Sequence, residues 1–399
     1  MRFVSRFLSL LAIFGHMTTH RLGIVMHGVT GRMGGTQHLR RSVLAIHEAG
    51  GILLTNGDRV VVEPLLLGRN GAKLAALASE TGFSEYTTDY AAALGSPDHT
   101  LFFDAGTTAQ RAKLLGRALA AGKHVYCEKP VAASLTEARE LTVQVAQGKM
   151  KSGVVMDKLF LPGLLKLAQL KSEGFFGRIL SVRIDFGYWV FDGQTGTSNR
   201  PSWNYRRSDG GSIIFDMMAH WRYVLDRLVA PVQSVMCLGA THLQQRWDEA
   251  GDSYVADADD ASYALMQLKG GVVAQVNSSW CTRVNRDDLA VFQIDGTEGS
   301  AVAGLNWCRT QSLGDTPRPV WNPDEPQAES FRDQWKPYQP EHRYPNGFRT
   351  QWEQFIRHLY EDAAWSYTLQ EGVKGVELAE AAMESWRRRV WVDVDGANE

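Results

Sequence analysis

A lysine at the end of a predicted strand is the first side chain in this sequence that could handle a proton. Glu128, Lys129 and Pro130 close the apolar run 124–127, which is typical of a short buried strand. Because proline disfavours the α region for the residue before it, Lys129 is expected on an extended and stiff backbone. An amine held in this way could bind a reacting oxygen or move its proton.

A glycine turn near the N-terminus predicts the cofactor. The apolar residues 23–27 are typical of a strand, and the sequence GVTGRMG follows at 28–34. That spacing is typical of a dinucleotide-binding turn, whose following helix directs its first N–H groups toward a pyrophosphate. The residues expected to contact the cofactor are Gly28, Gly31, Arg32, Met33, Gly34, Arg69, Asn70, Thr107 and Glu128.

The end of the second sheet strand bears on the choice between NAD and NADP. Asn56-Gly57 predicts a small inserted hairpin, so the strand expected after the glycine turn is 65–67. That strand ends at Arg69 and Asn70 without a carboxylate for a ribose 2′-hydroxyl, whereas an arginine can pair with a 2′-phosphate. NADP is therefore favoured over NAD. The alternative interpretation of Arg69, a solvated loop cation, leaves the cofactor open.

A second pair of titratable residues follows two glycines far downstream. A helix is predicted to begin near Ser212, so Asp216 and His220 are four residues apart and share one helix face. A carboxylate at this spacing can orient an imidazole for general acid or base catalysis. The alternative interpretation is an ordinary ion pair on a helix surface, which the same spacing produces.

Length and charge narrow the class of protein. At 399 residues with 44% hydrophobic side chains, the chain is expected to form two domains. Lys and Arg total 42 against 44 Asp and Glu, without a sustained basic block, so neither nucleic acid nor a membrane is expected as a partner. The better prediction is a small-molecule substrate.

The cysteines and the N-terminus bear on location. The four cysteines are widely spaced and form no CxxC pair, which predicts neither a metal site nor disulfides and fits a reducing cytoplasm. The apolar stretch 7–14 resembles a signal peptide, but it is too short to span a bilayer and no small-residue cleavage site follows it. We therefore interpret residues 1–20 as an upstream extension or a mis-called start rather than an export signal.

The remaining pattern divides the chain in two. Strands alternate with helical segments over 21–155, which predicts an N-terminal Rossmann domain with a parallel sheet. Over 156–399, strands follow one another through short turns such as Lys269-Gly270-Gly271, which predicts a C-terminal α+β domain with an open, mostly antiparallel sheet. The fold class is thus α/β, and the proline-containing segment 310–346 is expected to be irregular.

Three blocks in a fixed order identify a family. The glycine turn, the Glu-Lys-Pro strand end and the helix pattern GG-x4-D-x3-H resemble the Gfo/Idh/MocA family of nicotinamide-dependent oxidoreductases. The resemblance covers nearly the whole chain, since 157–162, 177–182 and 296–300 also match the family pattern. It implies that a sugar or polyol binds between the two domains, and that the open sheet often forms a subunit interface, so a homo-oligomer is expected.

The resemblance also assigns roles. Lys129 matches the family's Glu-Lys-Pro lysine, and Asp216 and His220 match its Asp–His pair. A free imidazole has a pKa of about 6.5 and a free lysine amine one of about 10.4, so His220 is predicted to be the principal acid and base. Asp216 is then its orienter, and Lys129 would bind and polarise the reacting oxygen.

Four further residues are predicted to contact the substrate. Flat aromatic rings can stack on a sugar ring, and a loop just before the two glycines carries aromatic side chains and an arginine. Two positions depart from the family pattern: Asp157-Lys158 replaces the commoner Asn-Arg, and Met218 stands where glycine is usual and could narrow the pocket. The predicted substrate-binding residues are Lys158, Trp203, Tyr205 and Arg206.

The leading prediction is a dehydrogenase or reductase that uses NADP or NAD. It would transfer a hydride between the cofactor and a secondary hydroxyl or ketone of a sugar, glycoside or polyol. One alternative is a reductase of a non-sugar carbonyl or unsaturated ring, because the Gly28 turn also resembles that of dihydrodipicolinate reductases. The other is a cofactor-binding regulator without turnover, which would lack the lysine or the Asp–His pair that this chain retains.

Overall fold

The computed structural model describes residues 17–338 and 344–394, so residues 1–16 of the predicted extension lie outside the described residues. The strands are β1 (Thr19–His27), β2 (Ile52–Leu53), β3 (Arg59–Leu67), β4 (Tyr86–Thr87), β5 (Leu101–Asp104), β6 (His124–Cys127), β7 (Ser152–Val154), β8 (Ile179–Gly187), β9 (Val232–Ala240), β10 (Gln245–Trp247), β11 (Ser253–Val255), β12 (Ala261–Leu268), β13 (Val272–Ser279), β14 (Ala290–Gly296), β15 (Gly299–Ala303), β16 (Cys308–Ser312), β17 (Lys336–Pro337) and β18 (Val392–Asp393).

The helix after the glycine turn begins as a π-helix, Met33–Leu44, and continues as the α-helical turn α1 (Ala45–Glu48). The other α-helices are α2 (Gly71–Thr81), α3 (Tyr90–Gly95), α4 (Thr108–Ala120), α5 (Leu135–Gly148), α6 (Pro162–Ser172), α7 (Ile213–Leu228), α8 (Gly347–Glu361) and α9 (Leu369–Arg388). Within the described residues, no helix is long and apolar enough to span a membrane.

A mostly parallel sheet organises the first of two compact units. This unit comprises the described residues through Glu128 together with Glu140–Val155 and Phe348–Thr368. The strand order is β2-β3-β1-β5-β6-β7 with β4 beside β3, and every pair is parallel except β2–β3. From β4 to β7 this is the order of a dinucleotide-binding fold, and the predicted Rossmann domain is confirmed.

The second strand of the inserted hairpin and the second Rossmann strand form one continuous strand, β3. β3 pairs with β2 at its beginning and with β1 along its whole length, so it runs unbroken from Arg59 to Leu67. The expectation of a separate strand at 65–67 was therefore wrong. The Asn56-Gly57 turn lies in the β2–β3 connection, and Leu67 still ends the strand directly before Gly68.

Helix α8 completes the core of this first unit. Its side chains Trp352, Phe355 and Ile356 are fully buried, and the Trp352 ring packs 4.9 Å from Phe103 and 4.7 Å from Tyr126. Aromatic rings at these separations stabilise a core beyond simple burial. Residues 348–368 therefore pack in the first unit, although they lie within the range 156–399 that was predicted for the second domain.

An open sheet organises the second unit, which comprises the described residues of Lys129–Arg139, Met156–Gly347 and 369–394. Its nine strands lie in the order β17-β16-β15-β14-β8-β13-β12-β9-β18, and all pairs are antiparallel except β8–β13. The prediction of a mostly antiparallel open sheet is confirmed. Alternate residues of β12 are buried and exposed, as expected when one face packs against helices and the other does not.

Candidate active site

The start of α7 sets the positions of both predicted catalytic residues of the helix. Ser212 caps the helix by accepting a hydrogen bond from the Phe215 N–H at 3.1 Å. The buried Asp259 accepts from the Ser212 hydroxyl at 2.9 Å and from the Ile214 N–H at 2.8 Å. Because the first turn is fixed by these bonds, Asp216 occupies a defined place on it.

Asp216 joins two cations. Lys129 Nζ donates to Asp216 Oδ1 at 2.5 Å and to the Asp216 carbonyl oxygen at 3.1 Å. The other carboxylate oxygen, Oδ2, accepts from Arg200 Nη2 at 3.0 Å. The structure therefore brings together Lys129 and Asp216, which are 87 residues apart in the chain.

The charges around Asp216 keep it ionised. Burial alone would raise the pKa of this carboxyl, but the positive charges of Lys129 and Arg200 outweigh it. The hydrogen bond from Lys129 acts in the same direction, so the pKa of Asp216 lies well below its usual range. Asp216 is thus an anion held between two cations.

His220 has a different orienting partner from the one predicted. Its Nδ1 lies 2.7 Å from the Tyr223 hydroxyl, and Asp157 Oδ1 lies 3.7 Å from the same nitrogen. In the described structure, the hydrogen bonds of Asp216 run to Lys129 and Arg200 instead. The prediction that Asp216 orients His220 is corrected accordingly, because the two side chains point to different neighbours from one helix face.

The hydrogen bonds of Tyr223 are compatible with one tautomer of His220 that suits a base. The Tyr223 hydroxyl donates its single proton to Asp157 Oδ1 at 3.3 Å, while the Lys158 backbone N–H donates to the hydroxyl oxygen at 3.3 Å. With its proton directed to Asp157, the hydroxyl oxygen can accept the Nδ1 proton of His220, the assignment that would leave the lone pair on Nε2. An imidazole in this form can accept a proton at Nε2.

Burial and neighbouring cations keep His220 neutral. The residue is only 6% exposed, and this burial is the main cause that lowers its pKa well below 6.5. The positive charges of Lys129, Lys158 and Arg200 lower it further. A neutral base at physiological pH is what proton abstraction from a hydroxyl requires.

The predicted substrate residues have mixed surroundings. Trp203 is 39% exposed, whereas Tyr205 is fully buried beneath the Arg246 guanidinium, 3.7 Å from the ring centroid. Arg206 stacks on Tyr254 at 4.1 Å. A ring sealed in this way offers no face to a sugar, so the expectation of sugar stacking on Tyr205 is wrong.

Lys158 and Met218 also have defined places. Lys158 Nζ donates to Asp157 Oδ2 at 2.7 Å, so the pair that replaces Asn-Arg forms an ion pair beside His220. The Met218 side chain is fully buried on the core side of α7. It therefore fills the core of this unit.

A small hairpin anchors the loop between β8 and α7. Glu249, in the β10–β11 connection, accepts from the Ser202 N–H and hydroxyl, both at 2.8 Å. Asp248 in the same connection pairs with Arg206 at 3.3 Å. These contacts hold the loop segment that carries Trp203, and the sequence contained no periodic signal for them.

The glycine turn of the first unit has the shape that a dinucleotide requires. Gly28 has φ +80°, and a Cβ there would lie 2.4 Å from the Ala105 carbonyl carbon. A Cβ on Gly34 would lie 2.3 Å from the Gly28 carbonyl oxygen. Only glycine permits this close backbone approach, which is the role of such residues in a pyrophosphate-binding turn.

The other predicted cofactor residues lie around this turn in the first unit. Gly31 and Arg32 are exposed, Met33 is half-buried, and Arg69 and Thr107 are exposed at the ends of β3 and β5. The Asn70 side chain caps α2 by accepting from the Lys73 N–H at 3.0 Å. Glu128 Oε1 lies 2.9 Å from His38 Nε2, so this carboxylate already has a buried partner.

Sequence reasoning missed a buried network beside the turn. His27 Nδ1 donates to Asp104 Oδ1 at 2.6 Å, and Arg111 Nε donates to Asp104 Oδ2 at 2.8 Å. Burial would raise the pKa of Asp104, but hydrogen bonds and charges from His27 and Arg111 lower it. The network ties the ends of β1 and β5 together.

In the described parts of the chain, no group of three or more His, Cys, Asp or Glu side chains could hold a metal ion.

Comparison with known proteins shows the family to which the chain belongs. Residues 22–155 match an oxidoreductase family with an NAD-binding Rossmann fold, and residues 164–302 match the GFO/IDH/MocA C-terminal domain. A D-xylose dehydrogenase from Paenarthrobacter nicotinovorans is 49% identical over 375 residues, which cover 93% of this chain and 97% of that protein. The chain belongs to the Gfo/Idh/MocA family.

More distant Gfo/Idh/MocA relatives share the fold. Levoglucosan dehydrogenase from Pseudarthrobacter phenanthrenivorans is 24% identical over 364 residues, covering 84% of this chain and 90% of that protein. A solved structure of levoglucosan dehydrogenase in complex with NADH and levoglucosan has a TM-score of 0.77 at 21% identity, covering 94% of this chain and all of that one. At this identity the structural likeness establishes the fold alone.

Three predictions are confirmed by these relationships. The family is the one that the three sequence blocks indicated, and the fold is a Rossmann domain followed by a domain with an open sheet. The chain is a nicotinamide-dependent oxidoreductase of the class that acts on sugar hydroxyls. The alternatives of a reductase for non-sugar carbonyls and of a regulator without turnover are not favoured.

Proposed function

We propose that this Gfo/Idh/MocA protein oxidises a hydroxyl of a free aldose, with an aldopentose such as D-xylose as the first candidate, and that Lys129, Asp216 and His220 form its catalytic cluster. The substrate proposal rests on 49% identity to a D-xylose dehydrogenase over nearly the whole chain. The observation that carries the catalytic proposal is a neutral His220 placed one helical turn from Asp216, the carboxylate that holds Lys129.

The proposed chemistry divides between two side chains. His220 Nε2 accepts the proton of the sugar hydroxyl, and the imidazolium that results is stabilised by Asp157 through Tyr223. Lys129 donates a hydrogen bond to the same oxygen and stabilises the charge that develops on it. The oxidised nicotinamide supplies the acceptor for the hydride of the carbinol carbon. In the reverse reduction, His220 returns the proton.

The glycine turn would hold the pyrophosphate, with Gly28 and Gly34 giving backbone access and the helix that begins at Met33 supplying N–H groups. We further propose a preference for NADP. Strand β3 leads through Gly68 to the exposed Arg69, with no carboxylate in these positions, and a guanidinium can bind a 2′-phosphate.

A spectrophotometric panel tests the function. Purified protein is mixed with NADP or NAD and with D-xylose, other aldoses, polyols and levoglucosan, and reduced cofactor is followed by absorbance. We expect turnover with an aldopentose and a higher kcat/KM with NADP. Product analysis then identifies the carbon, because oxidation at the ring hemiacetal gives a lactone and oxidation elsewhere gives a keto sugar. No turnover with any sugar or polyol, alongside reduction of non-sugar carbonyls in a parallel assay with NADPH or NADH, would contradict the proposal.

Replacement of Arg69 tests the cofactor proposal separately. We expect Arg69→Ala to lower kcat/KM with NADP about tenfold or more while leaving that with NAD nearly unchanged. Lys73→Ala, a change at another exposed cation of the same region, is the control. An NADP preference that survives Arg69→Ala would remove Arg69 from the proposal.

We also propose that the protein forms homo-oligomers through the open face of its large sheet and works in the cytoplasm, where its four free cysteines stay reduced. The apolar side chains Leu238, Leu265 and Val273 are 45–47% exposed on this face. Leu265→Glu should lower the mass measured by light scattering, whereas Val255→Glu, on a different two-stranded sheet, should not. A monomeric wild type would contradict the oligomer.

A further inference from the structure

Arg200 lies in the loop between β8 and α7, where sequence reasoning assigned it no role. Its side chain is 17% exposed and makes four directed contacts. Nη1 donates to the Tyr188 hydroxyl at 3.0 Å, and Nη2 donates to Asn204 Oδ1 at 2.8 Å and to Asp216 Oδ2 at 3.0 Å. The guanidinium also lies over the Trp280 ring, 4.0 Å from its centroid.

These contacts fix the orientation of the guanidinium plane. A planar group stacked on an indole can rotate only in its own plane, and the bonds to Tyr188 and Asn204 remove that rotation. Its bond to Asp216 Oδ2 therefore sets the plane of the carboxylate. The second oxygen, Oδ1, is then directed to Lys129 Nζ.

We propose that Arg200 is a positioning residue of the catalytic cluster, which holds Asp216 by one carboxylate oxygen so that the other places the Lys129 amine. The inference rests on the proposed function of Lys129 and Asp216. Lysine could supply the charge of Arg200 but not its planar set of donors, because an ammonium has no fixed fork. Arg200→Lys would therefore keep the positive charge at this position but lose the fixed geometry of its donors.

The positive charge of Arg200 also lowers the pKa of a second group, His220. The groups that face His220 are Asp157 and Lys158 from the 157–160 turn, Lys129, Arg200, and Tyr223 from its own helix. On the α9 side of the helix, Glu377 faces Arg222 rather than His220. Removal of the Arg200 cation should therefore raise the pKa of His220, whereas a lysine at this position should leave it nearly unchanged.

The test combines a mutant cycle with a titration. Arg200→Lys, Arg200→Gln, Asp216→Asn and the double variant Arg200→Lys/Asp216→Asn are assayed for kcat and KM. Arg246→Lys is the matched control, since Arg246 is also buried, stacked on an aromatic ring and paired with a carboxylate, Asp260, outside the cluster. The ¹⁵N resonances of His220 are titrated in the cofactor-free protein.

Arg200→Lys is expected to lower kcat about 10- to 100-fold with a smaller change in KM, because a small misplacement of a catalytic group has this effect. In the Asp216→Asn background the same change should cost less than about threefold, since its route through Asp216 is gone. Arg246→Lys should retain kcat within about threefold. In the titration, only Arg200→Gln should raise the pKa of His220.

Full kcat in Arg200→Lys, or a loss that is undiminished in the Asp216→Asn background, would overturn the inference. So would an unchanged His220 titration in Arg200→Gln. These outcomes are distinct from failure of the proposed function, which would appear as a wild-type protein without sugar turnover. The titration needs neither cofactor nor substrate, so it tests the placement of Arg200 in either case.

Discussion

Asp216 and His220 lie one turn apart on α7, and the same three cations act on both with opposite consequences. Lys129 and Arg200 bond directly to Asp216, and their charges lower its pKa so that the carboxylate stays charged. His220 bonds instead to the Tyr223 hydroxyl, and burial together with the nearby positive charges lowers its pKa and keeps the imidazole uncharged. One cluster of cations thus prepares an anion to position an amine and a neutral base to accept a proton.

The difference teaches that the sign of the ionised form decides how nearby cations act on a residue. A carboxylate in bonding distance of cations gains from them, whereas an imidazole that would become cationic loses from the same charges. The orienting partners differ as well. Asp216 acts on Lys129, and His220 is held by Tyr223 and Asp157 from a different element.

The largest expected effect separates the base from the rest of the cluster. His220→Asn removes the group that accepts the substrate proton, so kcat should fall about 10³- to 10⁴-fold, within the range typical of general base catalysis. Cofactor affinity, measured by quenching of protein fluorescence, should stay within about threefold. Retention of more than a tenth of wild-type kcat would assign the base to another residue.

The next-largest effect concerns Lys129, the amine that Asp216 positions. Lys129→Met keeps much of the side-chain volume but removes the donor to the reacting oxygen, so kcat/KM should fall about 10²- to 10³-fold. The loss should persist across the pH range in which His220 is neutral. If Lys129→Met lost more than His220→Asn at every pH, the assigned roles would be reversed.

A smaller effect tests the link between His220 and its orienter. Tyr223→Phe removes the acceptor of the Nδ1 proton, so the tautomer is no longer fixed and kcat should fall roughly tenfold. The control is Tyr263→Phe, on the exposed face of the large sheet. Equal activity of the two variants would show that Tyr223 does not orient the base.

The smallest effect is one of stability. Below pH 6.5 an unfolded histidine binds a proton that the folded His220 does not, so the wild type should lose stability as pH falls from 6.5. His220→Gln lacks this group, and its Tm should fall less between pH 6.5 and 5, by about 1–3 °C. Parallel Tm curves for the two proteins would show that His220 titrates normally.

The sequence predicted those parts of the fold that depend on local pattern. Ser212 was placed at the start of α7 because two glycines precede it, and the 269–271 turn lies between β12 and β13 as expected. Helix α8 lies within the predicted range 156–399 but packs in the first compact unit, since its apolar face reveals burial but not the partner that buries it.

The chemistry was predicted less completely than the fold. Lys129, Asp216 and His220 were chosen from spacing and family resemblance, but Arg200 lies in an irregular loop whose side-chain direction no periodicity encodes. Tyr223 could have been found, because it lies three residues after His220 and therefore shares its helix face. Its bond to Asp157 joins residues 66 apart, and only the folded chain reveals it.

The most direct test of the account is the ¹⁵N spectrum of His220 in the wild-type protein. Selective histidine labelling, with His220→Gln for assignment, reports which ring nitrogen carries the proton and at what pH the second proton binds. The account predicts a proton on Nδ1, a lone pair on Nε2 and no second protonation until well below pH 6.5. A proton on Nε2 near neutral pH, or titration at or above pH 6.5, would contradict it.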